Sequence, residues 1–61
     1  MHYWIINADT QERVSVATCS YETVCKWLNN ARRQNPSRSF EIVDDLSDPY
    51  PDNAVVELNL F

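Results

Sequence analysis

The chain has 61 residues, no glycine, two cysteines and a formal charge of −4. That length allows one domain, and a chain so short buries only about 60% of its unfolded surface. An acidic balance disfavours phosphate backbones and anionic lipid, and the absence of glycine excludes a phosphate-cradling loop.

The first stretch, His2 to Ile6, is rich in aromatic and β-branched residues and reads as a strand. A polar turn follows from Asn7 to Glu12, where Asn7 and Asp9 are the residues best suited to a positive φ. Arg13 to Thr18 alternates, with Val14 and Val16 on one face, and reads as the return strand of a hairpin.

Ser20 then opens the clearest periodic stretch of the chain. Tyr21, Val24, Cys25, Leu28 and Ala31 recur at steps of three and four, which places them on one helical stripe with Trp27 at its edge. Glu22 suits the positive end of the helix dipole, and Arg32 and Arg33 suit the negative end. The helix ends by Gln34 or Asn35, because Pro36 cannot continue the hydrogen-bond ladder.

Beyond a short linker, Ser39 to Asp44 reads as a third strand, with Phe40 and Ile42 on one face and Glu41 and Val43 on the other. Asp45 to Asn53 is an Asp- and Pro-rich loop, and Ala54 to Phe61 alternates as a fourth strand. The expected architecture is α+β, ββαββ, with one helix laid on a small, mainly antiparallel sheet. In it the third strand lies antiparallel to the first. The fourth strand is an edge, open to homodimerisation or to domain swapping about the 45–53 loop.

No catalytic constellation can be assembled. The lone histidine, His2, stands at a strand start next to the terminus, and no nucleophile elbow or Ser–His–acid set accompanies it. Cys19 and Cys25, six apart, match neither a C-x-x-C pair nor a zinc ribbon. Cys25 reads as a small buried hydrophobe. Asp44, Asp45, Asp48 and Asp52 lack the glycine and closing glutamate of a calcium loop. The expectation is a binder without cofactor or metal. Two unpaired thiols, no signal-like start and no long apolar run fit a cytoplasmic protein without a membrane span.

Two charge patterns remain. Up to Phe40, five basic residues stand against three acidic ones, a balance of +2, whereas Glu41 to Phe61 holds six carboxylates and no cation. Glu41, Asp44, Asp45, Asp48, Asp52 and Glu57, with Tyr50 and Phe61 as aromatic anchors, are therefore the candidate partner-binding residues. If ordered, such carboxylates imitate a run of phosphates and fit a basic groove. The competing pattern is Lys26, Trp27, Arg32, Arg33 and Arg38, a cationic group with a ring suited to stacking on single strands. The net charge weighs against it.

The aromatic Tyr3-Trp4, the polar turn, Val14-Ser15-Val16, the hydroxyl-capped helix and Phe40-Glu41-Ile42-Val43 together resemble the T7-type phage inhibitors of bacterial RNA polymerase. The resemblance covers about two thirds of the chain and is one of layout. It implies a small phage-encoded protein that acts on a host enzyme by binding, in the host cytoplasm. That family carries arginines directly after the strand motif, where this chain has Asp44 and Asp45. The charge is reversed there.

These patterns lead to a small acidic inhibitor or modulator of a nucleic-acid-processing protein, one that mimics nucleic acid. The alternatives are an assembly subunit that pairs through its C-terminal β edge and a nucleic-acid binder using Lys26, Trp27, Arg32 and Arg33.

Overall fold

The computed structural model describes residues 1–47 and Leu58. Its element order is β1 (His2–Asn7), α1 (Tyr21–Gln34) and β2 (Phe40–Asp45), a small α+β fold. The expected loop from Asp48 onward and the fourth strand, apart from Leu58, lie outside the described residues.

β1 pairs with β2 antiparallel, with Trp4 opposite Val43 and Ile6 opposite Glu41. The strand is buried along both faces from Trp4 to Asn7. Ile5 packs toward the helix with Val14, Val24, Trp27, Ala31 and Phe40, while Tyr3, Val16, Leu28, Ile42 and Leu58 flank that cluster. Trp4 and Ile6 point to the other face and are 2% and 5% exposed, with the Arg13 guanidinium 5.6 Å from the Trp4 ring centre.

The segment 13–18 follows β1 as expected, but not as a regular strand. Two isolated bridges, Ile6 with Arg13 and Tyr3 with Thr18, tie its ends to β1. Three steps along β1 thus face five along the segment, so two extra residues are absorbed as a bulge. The hydroxyl of Ser15 reaches into the gap. Its Oγ accepts the Ile5 N–H at 2.8 Å and donates to the Val16 carbonyl at 3.0 Å. Arg13 Nε donates to the Ser15 carbonyl at 2.7 Å, which satisfies the backbone group that the bulge turns aside.

The preceding turn also departs from expectation in one detail. The positive φ falls on Gln11, at 64°, and not on Asn7 or Asp9. Asn7 stays in β1 and spends its side chain on the turn, where Oδ1 accepts from the Asp9 and Thr10 N–H groups at 2.9 and 3.4 Å. The left-handed position is pushed to the residue that closes the loop, whose N–H donates to the Asn7 carbonyl at 2.7 Å. Gln11 Nε2, donating to the Ala8 carbonyl at 2.9 Å, offsets part of the steric cost.

Helix α1 starts where Ser20 Oγ accepts the Thr23 N–H at 3.2 Å, a cap worth about 1 kcal/mol. It ends where the Asn35 N–H donates to the Ala31 carbonyl at 3.0 Å, one residue before Pro36. The buried row is Val24, Trp27 and Ala31. Trp27, expected at the edge of the apolar stripe, is 7% exposed and belongs to the core, whereas Tyr21, expected inside, is 58% exposed. Cys25 and Leu28 are half-buried between them.

Candidate functional site

Six of the eight expected partner-binding residues carry a carboxylate, and three of those six, Glu41, Asp44 and Asp45, fall within β2. All three are exposed. Asp48, Tyr50, Asp52, Glu57 and Phe61 lie outside the described residues. Alternation puts Glu41 and Asp45 on the face away from the helix and Asp44 on the helix face, opposite Tyr3. Glu41 and Asp45, four residues apart, stand about 13 Å from each other along the strand. Leu46, just past the strand, is 80% exposed.

The register decides which side of β2 is available to a partner. Tyr3, Ile5 and Asn7 direct backbone groups toward the 12–18 segment. The Tyr3 N–H donates to the Thr18 carbonyl at 2.7 Å, the Val14 N–H to the Ile5 carbonyl at 2.9 Å, and the Asn7 N–H to the Glu12 carbonyl at 2.8 Å. Trp4 and Ile6 therefore serve β2, through Val43 and Glu41. Ile42 and Asp44, the alternate residues, turn their N–H and C=O groups away from β1. Among the described residues no strand pairs with that outer edge.

The opposite margin differs. There the Leu58 N–H donates to the Val14 carbonyl at 3.0 Å, so the one described residue of the expected fourth strand sits beyond the 13–18 segment. It lies across the sheet from the carboxylates of β2.

The cationic group is divided. Lys26, Arg32 and Arg33 are exposed on the helix, but the Trp27 indole that was to stack on bases is committed to the core. Arg32 and Arg38 instead line a shallow open cleft of about 500 Å³ with Pro36, Ser39 and Phe40. The Arg38 guanidinium lies 5.8 Å from the Phe40 ring centre. The arginines thus cluster where the helix ends and β2 begins, while the carboxylates occupy the rest of the strand.

A second small cluster joins helix and sheet, and its contact with Tyr3 is not visible in the spacing of the residues. The rings of Tyr3 and Tyr21 meet edge to face at 5.4 Å. The Tyr21 phenol is pushed above the usual tyrosine range, first by the charge of Cys25, one helical turn on, then by a hydrogen bond with it. Slight burial and the charges of Tyr3 and Asp44 act in the same direction. Cys25 is half-buried, less enclosed than expected; both it and Cys19 are free thiols, and Cys19 is exposed.

Among the described residues no group of three His, Cys, Asp or Glu side chains is placed to hold a metal ion. His2 opens β1 opposite Asp45 and is half-buried. No helix among the described residues is long and apolar enough to cross a membrane. No family model matches the chain, and neither a curated protein nor a solved structure matches it significantly.

Proposed function

We propose that this protein is a small acidic inhibitor or modulator of a nucleic-acid-processing protein, acting by occupation of a basic groove and not by chemistry. The observation that carries this reading is the set of exposed carboxylates on β2. Glu41, Asp44 and Asp45 all stand in solvent there, at the head of a 21-residue tract without a cation. Carboxylates on an ordered strand keep their spacing. A basic groove that meets them loses little conformational entropy in the encounter, and the long-range field speeds the approach. In this reading Asp48, Tyr50, Asp52, Glu57 and Phe61 extend the contact, the origin is a phage, and the target is a host enzyme in the cytoplasm.

The test is retention of proteins from a bacterial lysate at low salt, with duplex DNA as competitor. The expected result is a basic nucleic-acid-binding protein that DNA or salt displaces. It should be lost with the E41Q/D44N/D45N variant, which keeps the strand's shape and removes three charges. Retention that survives neutralisation overturns the proposal. The nucleic-acid-binding alternative is weaker, since it needs the Trp27 ring that the core already uses.

A further inference from the structure

The acidic reading leaves open how the strand engages its target, and the register of the sheet supplies a mode. We propose that the outer edge of β2 takes up an extended basic segment of the partner as an additional strand. This inference rests on the acidic-binder reading and deepens it.

Three observations converge on that edge. Ile42 and Asp44 turn their backbone donors and acceptors outward, the requirement for adding a strand. The strand is held in register from its other side by the full pairing with β1, so the edge is already extended before anything binds. The carboxylates then choose the occupant. Glu41 and Asp45 flank the edge on one face and Asp44 on the other, so an incoming strand meets negative charge on both of its faces.

The same charges rule against a second copy of this chain. Two Phe40–Asp45 strands side by side would bring six carboxylates onto one ribbon, three from each, with no cation on either strand. Like charges opposed across a ladder are destabilising. A charged edge of this kind prevents self-association and admits a strand of Lys or Arg alternating with apolar residues. Arg38 lies two residues before β2, so the basic positions of the partner belong beside Asp44 and Asp45, away from that end.

The probe is a short synthetic peptide of alternating Lys and Val, and its control is the same peptide N-methylated at every backbone amide, so that neither edge can donate. The control keeps every charge and cannot complete a ladder. At low salt the first peptide should slow hydrogen exchange at the Ile42 and Asp44 amides by about tenfold or more, and the control should bind about tenfold more weakly. The D44K variant should weaken the first peptide by a similar factor. Equal affinity of the two peptides, without protection of those amides, overturns strand addition and leaves the acidic reading standing. Failure of both peptides to bind overturns both. Protection of the same amides that grows with protein concentration, in the absence of peptide, identifies a second copy as the occupant and also overturns the proposal.

Discussion

At the scale of single residues, Tyr21 carries the clearest electrostatic signature among the described groups. Its phenol is exposed, yet the negative charge of the neighbouring Cys25, then a hydrogen bond with it, disfavour the phenolate and raise its pKa above the usual value near 10, with slight burial, Tyr3 and Asp44 acting in the same direction. A raised folded-state pKa favours the protonated form. The associated stability is therefore complete below the ordinary tyrosine range and is lost as pH climbs through the folded-state value. Substituting Cys25→Ala removes the two largest contributions, so Tyr21 should ionise at lower pH in that variant. Phenolate absorbance, with Y21F as the blank for the other tyrosines, measures the change. A titration midpoint for Tyr21 that does not move with C25A contradicts this account.

At the scale of elements, the least regular segment depends on one hydroxyl. Between its two bridges, the 13–18 segment is tied to β1 by the Val14 N–H, which donates to the Ile5 carbonyl, and by the Ser15 Oγ, which takes the place of a backbone carbonyl for the Ile5 N–H. Ser15 is 2% exposed, so water cannot substitute for it. Ser15→Ala leaves a buried donor unsatisfied, which costs about 1–3 kcal/mol. Urea unfolding should show that loss, and the Ile5 amide should lose hydrogen-exchange protection beyond the global decrease. If Ile5 keeps its protection in S15A, the hydroxyl is not what holds the segment.

That bulge also marks a limit of what the sequence makes legible. Val14-Ser15-Val16 has the alternation of a half-buried strand, but Val14 and Ser15 are buried in succession, because a serine side chain can mimic a backbone acceptor. The helix was legible for the opposite reason: its cap, its charged ends and its stop at Pro36 are local signals. Its rotation was not. Tyr21, Cys25 and Leu28 form one row at steps of four and three, while Val24, Trp27 and Ala31 form the adjacent row at steps of three and four. The spacing alone could not say which row meets the sheet. The sheet selects the row with Trp27, the largest apolar side chain on the helix, and leaves the phenol of Tyr21 in water.

At the scale of the whole molecule, the exposure of the carboxylates in β2 was legible, whereas the side of that strand turned away from β1 was not. Which edge of β2 points outward depends on where β1 spends its other set of hydrogen bonds, a long-range choice made by the 12–18 segment. The charge distribution has a consequence of its own. All five cations lie at or before Arg38, and the tract beyond Phe40 is uniformly negative. Crowded like charges oppose compaction, and salt screens them within a Debye length of about 8–10 Å at 0.1–0.15 M. The same screening weakens attraction to a basic partner. Stability and affinity should thus respond to salt with opposite signs. Between about 0.02 and 0.5 M NaCl, the Tm of the isolated protein should rise while its affinity for the alternating Lys–Val peptide falls by about tenfold or more. E41Q/D44N/D45N should flatten both trends, since it removes half of the six carboxylates responsible. A Tm that falls with salt in step with the affinity would mean that attractive ion pairs outweigh the repulsion. The acidic tract would then be a partner of the protein's own arginines and would no longer be available to another surface.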